Sequence, residues 1–189
     1  MSAAREGLPT GAILTAVLAM TVIVVASNIL VQYPVNDWLT WGAFTYPVAF
    51  LVTDLANRRL GPAAARRVVY VGFALAVLCS AVLATPRIAL ASGTAFLAAQ
   101  LLDVFVFNRL RQGTWWRAPL ISSGIGSTVD TALFFTLAFA MTGLPWVGWA
   151  IGDLGVKFAV ALAMLLPFRL LMGAADMGAG NGGTKRQPA

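Results

Sequence analysis

Three stretches without a charged side chain constrain this fold more than any other sequence feature. They run over residues 7–36, 68–86 and 131–152, and one helix needs about 20 apolar residues to cross a bilayer. Composition agrees, because 59% of the 189 residues are hydrophobic and 11% are charged, whereas soluble domains are roughly half apolar and about a quarter charged. The sequence therefore predicts an all-α integral membrane protein.

The third stretch cannot form a single helix, because Thr142-Gly143-Leu144-Pro145 is a turn signal within it. Dividing the stretch there, and accepting an occasional charge inside a helix, predicts a bundle of six transmembrane helices over residues 10–33, 40–60, 66–85, 88–109, 118–141 and 146–172. These helices form one predicted domain, residues 1–175. The Gly-rich segment 176–189 is predicted to be a disordered cytoplasmic tail.

The basic residues predict how this bundle is oriented. Eleven of the thirteen fall on one side of the predicted helices: Arg5, Arg58, Arg59, Arg66, Arg67, Arg109, Arg111, Arg117, Arg169, Lys185 and Arg186. Because basic loops stay in the cytoplasm, both termini are predicted to be cytoplasmic. Charges at membrane boundaries favour contact with anionic lipids, so we expect a lipid membrane and no nucleic acid as partner.

Several classes of catalytic and metal site are excluded by what the sequence lacks. It has no histidine and a single cysteine, Cys79, which removes the usual zinc ligands, the Ser-His-Asp triad and any disulfide framework. No phosphate-binding loop or zinc-protease motif is present. We therefore expect no enzyme activity, no cofactor and no metal.

Five charges lie inside the predicted helices: Asp54, Asp103, Asp130, Asp153 and Lys157. Charged side chains in hydrocarbon are costly and mark function by default. Helical spacing places them with other polar and aromatic residues on common faces: Asn28 with Gln32, Tyr46 with Phe50, Asp54 and Asn57, Gln100 with Asp103, Ser123 and Ser127 with Asp130, and Asp153 with Lys157. The sequence predicts that these faces share a polar interior.

Each of these groups also has a purely structural interpretation. Asp54 could pair with Arg58 at the membrane boundary, and Asp153 could simply neutralise Lys157. Asp103 is the hardest to explain in this way, because no basic residue stands on the same helical turn. The amides of the first helix could bond neighbouring helices, and the small residues of the fifth could serve only close packing: Ser123, Gly124, Gly126 and Ser127.

Particular strings resemble the queuosine precursor transporters, also called the vitamin uptake transporter family. They are Ser27-Asn28-Ile29-Leu30-Val31-Gln32, Thr40 to Pro47, Thr53-Asp54-Leu55, Gln100 to Arg111, Asp130-Thr131 and Asp153-x-x-x-Lys157, in the order of the family across residues 27–172. The resemblance implies a six-helix importer in the bacterial inner membrane. Its substrates would be 7-cyano-7-deazaguanine (preQ0) and 7-aminomethyl-7-deazaguanine (preQ1), which feed the queuosine modification of tRNA.

The polar interior suits such a base. A 7-deazaguanine presents N1–H and an exocyclic amine side by side, and we expect the carboxylate of Asp103 or Asp130 to accept both. Gln100, Asn28 or Lys157 would donate to O6 or the nitrile, and aromatic rings would stack on the base. The predicted substrate-binding residues are Asn28, Gln32, Phe44, Tyr46, Asp54, Gln100, Asp103, Asp130, Asp153 and Lys157.

Two other functions are compatible with the sequence. The chain could be the substrate-binding subunit of a multi-component, ATP-driven vitamin importer, or it could be an intramembrane enzyme or assembly factor. A self-contained importer would work by alternating access around a site near the middle of the membrane. The small-residue face Ala89–Gly93 would also allow a homo-oligomer.

Overall fold

The computed structural model describes residues 10–30, 33–36, 39–83 and 85–180. Helices dominate this part of the chain, which confirms the all-α prediction. In chain order the elements are α1 (Thr10–Leu30), β1 (Pro34–Asn36), β2 (Leu39–Thr40), α2 (Gly42–Thr45), α3 (Val48–Leu60), α4 (Pro62–Leu83), α5 (Pro86–Leu110), α6 (Arg117–Phe139) and α7 (Trp146–Gly180).

Four helices of the described chain are long and apolar enough to cross a membrane. Their candidate spans are Thr10–Ser27, Pro86–Leu110, Arg117–Phe139 and Trp146–Gly173. Helix α3 has 13 residues, which at about 1.5 Å per residue is too short to cross alone. The count of six spans and the cytoplasmic side of both termini therefore stay predictions.

Residues 40–60 do not form the one continuous helix that was predicted. Thr40 belongs to β2, which pairs antiparallel with β1, and Tyr46 and Pro47 form a turn between α2 and α3. Proline has no backbone N–H to bond a preceding carbonyl, so a helix breaks or kinks there. The backbone passes the turn with Ala49 N–H donating to the Tyr46 carbonyl at 3.0 Å and Phe50 N–H to the Pro47 carbonyl at 3.1 Å.

The other helix ends differ less from the predicted ones. Helix α1 is described as far as Leu30, and the next two residues of its predicted range lie outside the described residues, whereas α7 continues to Gly180, past the predicted end at residue 172. The backbone is thus helical over the first five residues of the segment predicted as a disordered tail. Residues 181–189 lie outside the described residues, so the prediction for them stays untested.

Two clusters of buried apolar side chains join the helices. The larger cluster brings Met20 of α1, Ala49 of α3, Val68 of α4 and Phe96 of α5 together, all fully buried. The smaller cluster, around Phe107, Ala118 and Phe168, joins α5, α6 and α7 near the basic end. Large apolar side chains also cover the outside, which is typical of a surface that faces lipid: Leu14, Leu18, Leu90, Ile151, Leu162 and Leu166.

Arginines bind exposed carbonyls at both ends of the bundle. Arg87 donates to the carbonyls of Leu137 and Ala140 at 2.9 and 2.7 Å, and so satisfies the last turn of α6. At the opposite end Arg58 donates to the carbonyl of Arg111, and Arg111 donates back to the Arg58 carbonyl at 3.2 Å. These bonds fix the connections between helices.

Helix α6 packs closely against α3 and α5 at Gly126. A Cβ atom added there would lie 2.7 Å from Cε1 of Phe50 and 3.3 Å from the carbonyl oxygen of Ala99. The ring of Phe50 is itself only 2% exposed and has little room to move. A glycine is therefore needed at this position for the three helices to pack.

We predict that Gly126→Ala destabilises the bundle by about 1–3 kcal/mol, the usual cost of overfilling a packed core. Thermal unfolding of the detergent-solubilised protein would measure this. Gly155→Ala is the matched control, because a Cβ there meets nothing within 4 Å and alanine is the better helix former. Equal melting temperatures for the two variants would contradict the proposed close contact.

Candidate binding site

Polar side chains fill the interior of the bundle. Among the residues described, Thr53, Asn57, Gln100, Asp103, Ser122 and Ser127 are all at 0% exposure. They come from α3, α5 and α6, and α7 adds Lys157 at 4%. Polar groups buried this deeply require partners within the protein. The structure thus brings together the polar faces of four helices that the sequence predicted to share an interior.

Lys157 stands at the centre of one polar group, which we call the ion cluster: Tyr46, Asp130, Thr131, Asp153 and Lys157. Its Nζ atom lies 2.7 Å from Oδ2 of Asp130 and 2.5 Å from Oδ2 of Asp153. It also donates to the hydroxyl of Thr131 at 3.0 Å, and that hydroxyl donates to Asp153 at 2.9 Å. Asp153 and Lys157 are therefore more than a self-neutralising pair, since one ammonium group serves two carboxylates.

The turn at Pro47 brings Tyr46 into the ion cluster. Its hydroxyl donates to Oδ1 of Asp130 at 3.2 Å, so both oxygens of that carboxylate have partners. The ring centre lies 5.7 Å from Nζ of Lys157, which adds a cation–π contact. The ring of Phe96 packs against Tyr46 edge-on at 6.1 Å. One base between two acids leaves the cluster with a formal charge of −1.

Asp54 and Asp103 form a second group, which we call the carboxyl pair. The two carboxyl groups adjoin each other beside Ser122 and Ser123, and their side chains are 2% and 0% exposed. Asp54 accepts hydrogen bonds from the hydroxyls of Ser122 and Ser123 at 3.3 and 3.2 Å. Neither oxygen of Asp103 accepts a hydrogen bond from any described donor.

The structural alternative for Asp54 was wrong. Arg58 does not pair with it, because that guanidinium group donates to the carbonyl of Arg111 instead. Every ion pair between described side chains belongs to Lys157. The carboxyl pair is consequently buried without a basic partner within the part of the chain that is described.

Hydrogen bonds between α3 and α5 hold the carboxyl pair in register. The hydroxyl of Thr53 donates to Oε1 of Gln100 at 2.6 Å, and the amide of Asn57 donates to the carbonyl of Val104 at 2.9 Å. The Gln100 amide nitrogen has no partner among described groups. Asp54 and Asp103 lie between these two bonds, so the helices cannot separate them without breaking both.

A narrow cleft lies beside Asp54, between α3, α6 and α7, with a free volume of about 10 Å³. That volume is roughly enough for one water molecule, so a larger ligand requires the helices to move apart. Its lining combines two aromatic rings with three polar groups: Phe50, Phe168, Asp54, Ser123 and Ser127. The hydroxyl of Ser127 is buried and has no described partner.

Among the predicted binding residues that the structure describes, Phe44 lies apart from this interior. Phe44 is 38% exposed and packs against Trp41 at 5.9 Å, away from the polar groups. The side chain of Asn28 and the whole of Gln32 lie outside the described residues. Sequence reasoning missed Thr53, Ser122 and Phe168. Only the positions of Thr53 beside Asp54 and of Ser122 beside Ser123 offered a signal.

The part of the chain that matches a known protein family includes this interior. The model of the family described as "Putative vitamin uptake transporter" matches residues 40–85 and 79–172. These ranges contain the ion cluster, the carboxyl pair and all residues that line the cleft. The chain belongs to the vitamin uptake transporter family. The protein is therefore a membrane protein, as its apolar helices also indicate.

Curated relatives of the protein carry a more specific name. It is 36% identical to the queuosine precursor transporter of Escherichia coli, over 77% of this chain and 79% of that one. It is also 36% identical to the probable queuosine precursor transporter of Haemophilus influenzae, over 76% and 78% of the two chains. A probable queuosine precursor transporter of Bacillus subtilis is 28% identical over 67% and 68%. No solved structure matches the chain.

The ion cluster leads to a prediction about stability. Lys157→Met would leave the buried Asp130 and the partly buried Asp153 without a base, and removing one partner from a buried ion pair costs about 3–5 kcal/mol. Asp153→Asn would instead neutralise the cluster, because Asp130 and Lys157 would still pair. We expect Lys157→Met to lower the melting temperature in detergent sharply and Asp153→Asn to lower it little.

The two variants serve as controls for each other, since each removes one charge from the same cluster. Comparable losses in both would mean that charge balance does not stabilise the cluster. A larger loss in Asp153→Asn than in Lys157→Met would contradict the role given to Lys157.

Proposed function

We propose that this protein imports queuosine precursors, the 7-deazaguanine bases preQ0 and preQ1, across the bacterial inner membrane. The observation that carries the proposal is the 36% identity, over 77% of this chain, to a protein named queuosine precursor transporter. The aligned family segment includes an interior cleft with one carboxylate, two hydroxyls and aromatic rings. Those are the groups that a flat, hydrogen-bonding base needs.

The proposed topology has six membrane crossings with both termini in the cytoplasm. Helices α2 and α3 together supply one crossing, broken at Pro47, because neither is long enough alone. A broken helix is tolerated at membrane depth where the backbone is buried in protein or lines a cavity, and Pro47 lines the cleft. The basic residues at the ends of α3 and α5 stay on the cytoplasmic side under the positive-inside rule.

In the proposed binding mode the helices around the cleft move apart, and the base enters the widened cleft with its N1–H and exocyclic amine towards Asp54. Asp54 is preferred to Asp103 and Asp130 as the acceptor because it is the carboxylate that lines the cleft. Its two oxygens receive only serine hydroxyls in this state. Phe50 offers a face for stacking, and the unpaired hydroxyl of Ser127 is free to donate to O6 or the nitrile.

The ion cluster stands one helical turn from the cleft, since Asp130 follows Ser127 by one turn of α6 and Lys157 precedes Ala161 by one turn of α7. In an alternating-access cycle the cleft would open to one side while the ion cluster holds the opposite side closed. Tyr46, Asp130, Asp153 and Lys157 would then meet the base only when the helices rearrange. Gln100 supports α3 from behind the cleft through Thr53.

Liposomes that contain this chain alone test the proposed function. We expect saturable uptake of radiolabelled preQ0, because the importer needs no separate ATP-hydrolysing subunit. Empty liposomes measure passive entry, and an excess of unlabelled preQ0 should suppress the signal. Binding of preQ0 without any uptake would contradict a self-contained importer, and neither binding nor uptake would contradict the substrate assignment.

Substitutions in the cleft test the binding mode. An asparagine in Asp54→Asn offers one acceptor oxygen in place of two, and loss of a hydrogen bond to a charged group costs about 1.5–3 kcal/mol. We therefore expect preQ0 to bind about 10–100-fold more weakly. Ser127→Ala loses a neutral hydrogen bond and should cost about tenfold or less. Isothermal titration calorimetry in detergent would measure both.

Thr128→Val is the matched control for these variants. Thr128 follows Ser127 on α6, but its hydroxyl donates to the Gly124 carbonyl at 2.9 Å in its own helix. The residue does not line the cleft, so wild-type affinity is expected. Unchanged binding in Asp54→Asn, or equal losses in Ser127→Ala and Thr128→Val, would place the base elsewhere.

A further inference from the structure

Binding of the base gives a role to only one member of the carboxyl pair. One of its members, Asp54, lines the cleft, while Asp103 lies behind it and is absent from the lining. Asp103 is fully buried, and its two oxygens accept no hydrogen bond from the described donors. A buried carboxylate left in this condition is unusual, because buried polar groups nearly always have partners.

Other charged groups around the pair are exposed or occupied. On the packed elements α3, α4, α5, α6 and α7 the exposed ones are Arg59, Arg66, Arg67, Tyr70, Arg87, Arg109, Arg117 and Arg169. The occupied ones bond each other's carbonyls or belong to the ion cluster: Arg58, Arg111, Tyr46, Asp130, Asp153 and Lys157. Helix α1, which also packs on α3, contains no titratable residue. None of these described groups neutralises Asp54 or Asp103.

Two adjoining carboxylates repel each other strongly when water is excluded, because the local dielectric constant is low. One proton held between them lowers their combined charge from −2 to −1, and two carboxyl groups that share a site commonly hold one proton in this way. A metal ion would relieve the repulsion too. However, no group of three or more acidic or thiol side chains that could hold one occurs in the described chain.

We propose that the pair of Asp54 and Asp103 is the proton-binding site of a proton-coupled importer. This inference rests on the proposed function. A proton from the outer solution forms an O–H bond on the pair, and the same bond breaks when the proton leaves on the cytoplasmic side. No electron is transferred, and the base crosses in the same cycle.

The position of Asp54 explains how base and proton are linked. The N–H groups of the base favour a charged Asp54, which leaves the proton on Asp103. A neutral Asp103 in turn removes the repulsion that a charged Asp54 would meet, so each ligand favours binding of the other. Such reciprocity is required of any two coupled sites. The ion cluster lacks this property, because Lys157 already pairs with both of its carboxylates.

Proteoliposomes provide the test. With an outside solution more acidic than the inside, wild-type protein should accumulate preQ0 above equilibrium several-fold, and a protonophore should abolish the accumulation. Asp103→Asn should still exchange labelled for unlabelled preQ0 but should neither accumulate it nor respond to the pH gradient. Thr128→Val, outside both sites, should accumulate preQ0 like the wild type.

A second measurement keeps the proposal testable if Asp103→Asn does not fold. Wild-type protein in weakly buffered detergent solution should take up protons when preQ0 is added under mildly alkaline conditions, as a pH indicator dye reports. Accumulation driven by a sodium gradient at equal pH, or accumulation by Asp103→Asn under the pH gradient, would overturn the proton site. Equilibration of preQ0 without any pH response would refute coupling while leaving the proposed function intact, whereas no exchange at all would refute the function itself.

Discussion

The hydrocarbon of a bilayer offers no hydrogen-bond partner, and this constraint governs how the chain folds. Each buried polar group has to find its partner within the protein or remain unpaired at a cost. Lys157 satisfies the constraint through Asp130, Thr131 and Asp153, which ties α6 to α7. Thr53 and Gln100 do the same between α3 and α5. Polar groups therefore share the interior with the apolar clusters, while leucines such as Leu18 lie on the outside.

The two acidic groups of the interior satisfy this constraint to different degrees, and that difference separates their roles. In the ion cluster Tyr46 and Lys157 donate hydrogen bonds to the two oxygens of Asp130, so both oxygens of that carboxylate have partners. In the carboxyl pair only serine hydroxyls reach Asp54, and no described donor reaches Asp103. A carboxylate whose oxygens all have partners holds helices in place. A carboxyl group that lacks partners can still bind a small ligand, and in this protein it adjoins the cleft.

Sequence reasoning identified the helices and the charged residues because both follow from local patterns. Charge-free stretches reveal spans, and acids within them reveal the interior. The hydrogen-bond partners of Asp54 and Asp130 are residues far away in the sequence, and helical spacing does not predict such contacts. Arg58 is the neighbour of Asp54 in the sequence, yet Asp54 meets Ser122 and Ser123 instead. The serines looked like packing residues, and only the tertiary fold turns them into hydrogen-bond donors.

The break in the helix at Pro47 was hard to predict from the sequence, although it shapes the interior of the protein. A proline inside an apolar stretch can kink a helix or end it, and the sequence does not distinguish the two. Here the chain turns, so Tyr46 reaches Asp130 while Pro47 and Phe50 line the cleft. One turn of backbone therefore contacts both the ion cluster and the candidate binding site. Any ligand that displaces Phe50 acts on the same turn that holds Tyr46 against the cluster.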